Sequence, residues 1–342
     1  MKKHRIVRAF LATFLVFLAF CAIAGVFLAE SALHPAGKPF TSADENEGRA
    51  WAEDENASLD QVSITAEDGV ILRGWELRPQ NANGKVVILL HGLRDNRLGM
   101  RDYGDIFLLH GYGVLVPDAR AHGASGGNLA TYGLLEKEDI HLWIDWLVAR
   151  EHPSCVYGFG ESMGAAQVLQ AIKTEKCFCA VAAEGSFSTF RETAYDRVGQ
   201  RFRTGPWLGR TILWPVVESA FLYVRLRYGL DIGQVSPEDA VAVSRVPVLL
   251  IHGQTDMNIP IRHSRRIAAR NRSVALWELP NTGHSNAIDT SPNELDRILI
   301  EWFGSHRSFA HILPLVFPPP GDGLEQRGQE VSLNRGGRDI TR

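Results

Sequence analysis

Ser162 sits in the pentapeptide Gly160-Glu161-Ser162-Met163-Gly164. The apolar run Cys155 to Phe159 before it reads as a buried strand. Ala165 to Ile172 after it is a good helix former with apolar residues at helical spacing. A serine between strand and helix, with glycine two positions before and two after, is the context of a nucleophile elbow. The turn is sharp, and glycine removes the Cβ atoms that would collide there. It leaves the hydroxyl at a helix N-terminus, where backbone N–H groups favour negative charge. Taken alone, the motif also fits a glycine-rich structural turn.

A serine hydroxyl becomes an effective nucleophile when a base takes its proton and an acid orients the base. Elbow enzymes supply these in the chain order Ser, Asp or Glu, His. Downstream, the strand-like run Val246 to Ile251 leads through His252-Gly253-Gln254-Thr255 to Asp256. A second run, Ala275 to Leu279, leads to the loop Asn281-Thr282-Gly283-His284. Ser162, Asp256 and His284 thus each follow a strand, in the required order, where open parallel sheets gather their reactive groups. Glu184, after the strand that follows the elbow, is the alternative acid. The earlier run Lys85 to Leu90 ends in His91-Gly92-Leu93. The loop after such a strand supplies one backbone N–H of an oxyanion hole, so Leu93 and Met163 are the expected donors. Asp118, Arg120 and His122, in the glycine-rich stretch up to Gly127, are expected to be structural.

The elements that must position these residues alternate between strand and helix, which predicts an α/β protein with a mainly parallel sheet and helices on both faces. Gln61 to Thr65 and Val70 to Leu77 flank a turn at Glu67-Asp68-Gly69 and predict an antiparallel opening pair. Leu134 to Arg150 reads as an amphipathic helix. The alternation breaks at about residues 186–245, where one helix would suffice. This insertion carries Phe190, Trp207, Trp214, Phe221, Tyr223 and Tyr228 among arginines. We expect a helical cap over the active site, with Trp207 and Trp214 lining an apolar acyl or aromatic pocket; the alternative, expected for most of the aromatics, is plain packing of the cap on the core. Residues 34–56 read as a polar linker, and residues 305–342, with their proline run and Gly/Arg-rich end, as a disordered tail.

The segments HGLRDNR, PDARAHGASGG, GFGESMGAA, LLIHGQTDMNIP and NTGHSNA together resemble the α/β-hydrolase superfamily. They lie nearest the membrane-anchored bacterial serine hydrolases of the serine aminopeptidase and monoacylglycerol lipase-like group. The resemblance spans about Asp60 to Phe303 and implies an α/β-hydrolase domain over residues 57–304. It also implies hydrolysis of an ester, thioester or amide of a small molecule without a cofactor. The rim loop reads Arg120-Ala121-His122-Gly123 where the group has Arg-Gly-His-Gly. A carboxylic ester is the expected substrate. The alternatives are an aminopeptidase, which would need an acid such as Asp196, Glu218 or Asp231 to hold the substrate ammonium, and a non-catalytic binding protein on the same fold.

The chain of 342 residues has a formal net charge of −3, which gives no basic footprint for nucleic acid. Lys2, Lys3, Arg5 and Arg8 precede an uncharged run from Ala9 to Ala29. As a helix that run is roughly 30 Å long, the thickness of a bilayer core. Residues 1–33 are therefore expected to be a membrane anchor with a cytoplasmic N-terminus and an extracytoplasmic body. A signal cleaved near Ala24 or Ala29 is the alternative. Four cysteines show no metal-site spacing. Buried free thiols at Cys155, Cys177 and Cys179 are the expectation, with a disulfide between adjacent strands as the alternative.

Overall fold

The computed structural model describes residues 2–306. Its strands are β1 (Ala57–Thr65), β2 (Ile71–Pro79), β3 (Lys85–Leu90), β4 (Gly113–Pro117), β5 (Cys155–Glu161), β6 (Phe178–Glu184), β7 (Val248–Gly253) and β8 (Val274–Leu279). They form one eight-stranded sheet in the order β1-β2-β4-β3-β5-β6-β7-β8. β1 with β2 and β2 with β4 are antiparallel, and the remaining pairs are parallel. The composition explains this division. β3, β4, β6 and β7 are runs of aliphatic residues buried on both faces, as parallel strands between helices must be. β1, at the edge, is mostly half-exposed.

The helices, in chain order, are α1 (Lys2–Leu33), α2 (Ser42–Asp54), α3 (Arg101–Leu109), α4 (Glu136–Glu151), α5 (Met163–Ala171), α6 (Phe190–Arg201), α7 (Trp207–Arg210), α8 (Trp214–Tyr228), α9 (Pro237–Val243), α10 (Arg262–Ala268), α11 (Ala287–Thr290) and α12 (Pro292–Ser305). One face of the sheet packs Phe159 and Tyr157 against Phe107 of α3 and Phe303 of α12. The other packs Val156 and Ile88 against Trp143 of α4, Val168 of α5 and Ile267 of α10. A third cluster joins the end of α1 to the cap, through Leu33, Val217, Phe221 and Phe187. Helices α6, α7, α8 and α9 occupy the stretch between β6 and β7, where one helix would have sufficed.

Three expectations change. The stretch read as a linker, residues 34–56, contains α2. Thr41 caps it reciprocally with Asp44: the Thr41 N–H donates to Asp44 Oδ2 at 2.7 Å, and the Asp44 N–H donates back to Thr41 Oγ1. Trp51 is fully buried against Trp75, and its indole N–H donates to Asp105 Oδ1 at 2.5 Å. One tryptophan anchors a segment too polar to show a period. Second, Cys155 and Cys179 form a disulfide, while Cys21 and Cys177 stay free. Register shifts beside Tyr157, which pairs with Ala180 while Val156 pairs with Phe178. Cys179 is the extra residue of that bulge, opposite no partner. Third, Trp207 and Trp214 are 55% and 50% exposed and face outward. The tail expected to be disordered lies outside the described residues beyond His306.

The disulfide closes a loop between residues 24 apart in sequence. By chain entropy such a closure contributes about 3 kcal/mol. Replacing both Cys155 and Cys179 by Ser should lower the urea unfolding midpoint of the full chain by a corresponding amount. An unchanged midpoint would show that the bond constrains nothing the fold leaves free.

Candidate active site

β5 delivers Ser162 to the mouth of the sheet, and α5 begins at the next residue. Ser162 has φ 53° and ψ −105°, a conformation few L-residues adopt. The crowding around it explains the glycines. A Cβ at Gly160 would lie 2.3 Å from Gly164 C, and one at Gly164 would lie 2.0 Å from Leu90 O of β3. The Ser162 N–H donates to Glu184 O at 2.8 Å, which ties the turn to the end of β6.

The other predicted residues converge on it. Ser162 Oγ is 2.8 Å from His284 Nε2, and His284 Nδ1 is 2.7 Å from Asp256 Oδ2. Asp256 is buried, and its other oxygen accepts from the Asn258 and Ile259 N–H groups, each at 2.8 Å. Burial works against its charge, but hydrogen bonds from His252 and His284 outweigh it and hold the carboxyl well below its usual range. An ionised Asp256 draws the imidazole proton to Nδ1 and leaves Nε2 to accept from the serine. The arrangement can therefore take a proton from Ser162 and stabilise the cation that results.

Leu93 and Met163, the expected oxyanion donors, line the same cleft. His91 fixes the first of them. Its Nε2 accepts from the Ala119 N–H at 3.1 Å, so Nδ1 carries the proton and donates to Gly92 O at 2.7 Å. Burial lowers the pKa of this ring and keeps it neutral.

Glu184 is engaged elsewhere: it accepts from the Tyr103 hydroxyl and the Ala287 N–H, each at 2.9 Å. Asp118, Arg120 and His122 are structural. Asp118 pairs with buried Arg97 at 2.6 Å, Arg120 bridges Asp139 and Asp68, and His122 bonds the Arg120 carbonyl. The cap acids do not reach the cleft. Asp196 pairs with Arg262 and His263, Glu218 with Arg191, and Asp231 caps the turn at Gly233.

The cleft encloses about 580 Å³. Its apolar lining comes from Tyr132, Phe187, Phe190, Phe221, Ile259 and, unexpectedly, from Leu28, Ala29, Ala32 and Leu33 of α1. Arg94 and Arg197 border it, and so do Asp95 and Glu161. The α1 residues were expected only to anchor the chain, and the arginines had no assigned role in the cleft, because each acquires its place only through a distant contact. Glu161, next to the serine, was visible but unread. Burial, with repulsion from Glu184 and Asp95, pushes its carboxyl up to about 8.

The parallel sheet, the turn at Ser162 and the loops carrying Asp256 and His284 beyond β7 and β8 define an α/β-hydrolase fold. The chain belongs to the alpha/beta hydrolase family, which it matches over residues 87–297. It is 29% identical over 224 residues to the uncharacterised protein YqkD of Bacillus subtilis, covering 64% of this chain and 70% of that one. It is 24% identical over 247 residues to the uncharacterised protein YfhR of Escherichia coli K12, covering 70% and 78%. Among solved structures, an esterase of Pyrococcus furiosus superposes with a TM-score of 0.60 and 26% identity over 75% of this chain and 94% of that one. An acylaminoacyl peptidase of Pyrococcus horikoshii, 16% identical, shares the fold with a TM-score of 0.57 over 77% of this chain and 44% of its own.

Glu161 gives a stability test. In the unfolded chain its carboxyl ionises near 4.5, whereas in the fold it keeps its proton up to about 8. Between these values the unfolded state binds fewer protons, so stability falls as pH rises through that window and levels off above it. Glu161→Gln removes the effect. The melting temperature of the variant relative to wild type should therefore rise between pH 5 and pH 9. A difference that stays flat would mean the carboxyl titrates normally.

Proposed function

We propose that this protein is a serine hydrolase that cleaves a carboxylic ester, with Ser162 as nucleophile, His284 as base and Asp256 as its orienting acid. The observation that carries the reading is the unbroken hydrogen-bonded series from Ser162 Oγ through His284 to a buried, doubly supported Asp256. In the first half-reaction His284 Nε2 takes the serine proton as Oγ bonds to the ester carbonyl carbon. The oxyanion is held by the Leu93 and Met163 N–H groups. The C–O bond to the alcohol then breaks, and His284 returns the proton to the departing oxygen. In the second half, water gives a proton to His284 and its oxygen to the acyl carbon. The bond to Ser162 breaks, the acid leaves, and the serine regains its proton.

Several observations support an ester over a peptide. The superposed Pyrococcus furiosus protein is an esterase. Each cap acid weighed as a holder for a substrate ammonium already has a partner within the fold. Glu161, held protonated up to about 8, offers no charge there at neutral pH. The long uncharged run of α1, Ala9 to Ala29, and the Cys155–Cys179 disulfide both support a body held outside the cytoplasm on a membrane anchor. The domain we assign to the chemistry is residues 57–304, with the cap at about 186–245.

A fluorophosphonate probe should label the wild-type protein at Ser162, and Ser162→Ala should abolish labelling while retaining the melting temperature. Asp256→Asn should lower kcat on p-nitrophenyl esters by about 10⁴, the scale of the same change in a serine protease. Glu184→Gln should stay within a few-fold of wild type. Labelling that survives Ser162→Ala, or loss of activity that follows Glu184 rather than Asp256, would overturn the assignment.

A further inference from the structure

The C-terminal half of α1 is built into the protein. Cys21, Ala29 and Leu33 are buried. Gly25 meets α8 so closely that a Cβ there would lie 2.7 Å from Ser219 Cβ and from Val216 O. The Tyr223 and Tyr228 hydroxyls both donate to Glu30 Oε1, at 2.6 and 2.7 Å. The final turn is held from the body: the Tyr132 hydroxyl donates to Ala32 O at 2.8 Å, and the Ala130 N–H donates to Leu33 O at 2.9 Å. These contacts fix the direction of packing. Gly25 lies beside residues 216–220 and Glu30 beside Tyr223 and Tyr228, so α1 and α8 run parallel. Between them opens the cleft that contains Ser162, walled by Leu28, Ala29 and Ala32 on one side and by Phe221 and Val224 on the other.

The depth of this arrangement follows from length. The uncharged run of α1 needs all of Ala9 to Ala29 to cross roughly 30 Å of hydrocarbon. One face of its last nine residues, Cys21 to Ala29, is packed on α8 at Gly25. A spanning α1 therefore carries the start of α8 to the same depth as Gly25. Apolar side chains are exposed there: Ile212, Trp214 and Leu222 are at least half exposed, as are Phe20 and Ile23 of α1. The nearby charges are paired, Glu218 of α8 with Arg191 and Arg210 of α7 with Glu192. Two further charges, Arg225 and Arg227, lie in the last turn of α8, near the level of Glu30, where the bilayer should end.

We infer that the first turns of α8 enter the bilayer beside α1, and that the cleft between these two helices takes the acyl chain of a membrane-resident lipid ester directly from the lipid phase. The end of α1 is then part of the substrate site as well as an anchor. This rests on the serine-hydrolase reading above. It adds where the substrate comes from and which residues hold its chain. A free, water-soluble ester would need neither the apolar outer face of the cap nor a wall made by the anchor.

The test uses the full chain in phosphatidylcholine vesicles. Two fluorophosphonates are compared, one ethyl and one dodecyl with a diazirine at the chain end. Both should label Ser162, and photolysis of the dodecyl adduct should place cross-links in the peptides holding Leu28 to Leu33 and Phe221 to Val224. Labelling by the ethyl probe alone, or dodecyl cross-links confined to other peptides, would overturn the inference while leaving the serine hydrolase intact. If neither probe labels, the hydrolase reading fails and takes this one with it. In vesicles of dibrominated phosphatidylcholine, tryptophan fluorescence should be quenched. Replacing both Trp207 and Trp214 by Phe should remove most of that quenching. Quenching that persists in full would place the cap outside the bilayer. Ala32→Trp should lower the ratio of kcat/KM for the palmitoyl over the acetyl p-nitrophenyl ester by about 10-fold or more, the scale of steric discrimination in an apolar pocket. An unchanged ratio counts against α1 as a wall.

Discussion

At Gly164 there is room for a hydrogen atom and nothing larger, because the Leu90 carbonyl of β3 stands 2.0 Å from where a Cβ would be. Gly160 is closed in the same way by Gly164 itself. This contact of backbone on backbone lets α5 begin directly over the sheet, with no connecting loop. It forces Ser162 into its unusual angles and leaves its hydroxyl pointing into the cleft. Much of the remaining site is measured from this point. The loop after β3 brings Leu93 beside Met163 because β3 and β5 are neighbours in the sheet. His284 reaches the serine because β7 and β8 continue the same parallel order to the far side.

The charged groups around the turn are arranged so that few of them compete for the imidazole. Two other carboxyl groups lie close by without bonding to it. Glu184 is saturated by Tyr103 and Ala287, and Glu161 holds its proton at neutral pH. The acid that does bond to His284 is the one whose second oxygen is satisfied by two backbone N–H groups. Burial raises the first two and would raise the third. The difference is the number of donors aimed at each carboxyl.

What could be read in the sequence follows from this geometry. A site fixed by backbone crowding leaves glycines at set spacing, so the elbow, the strand ends and the order Ser162, Asp256, His284 were all legible. So were the parallel core strands, because burial on both faces demands unbroken aliphatic runs. The features that escaped are made by single residues meeting across long separations. Trp51 of α2 finds Trp75 in β2, and Cys155 finds Cys179 through a bulge. Neither leaves a period. Trp207 and Trp214 look like any pocket aromatics until the path of the cap shows them outside. The α1 residues of the cleft were hidden in a run whose apolar character had another sufficient explanation.

The union of α1 with the cap bears on how the protein can be handled. Val217, Ala220 and Val224 are nearly fully buried, and Ala29 and Leu33 pack in the same cluster. A recombinant form trimmed after residue 33 to gain solubility would uncover that surface and strand the donors of Tyr132, Tyr223 and Tyr228. It would gain a contiguous apolar groove in place of a helix, the kind of patch that drives self-association. Detergent or a second copy would settle in the groove. The substrate profile of such a form would then describe a different cavity from the one the intact chain presents.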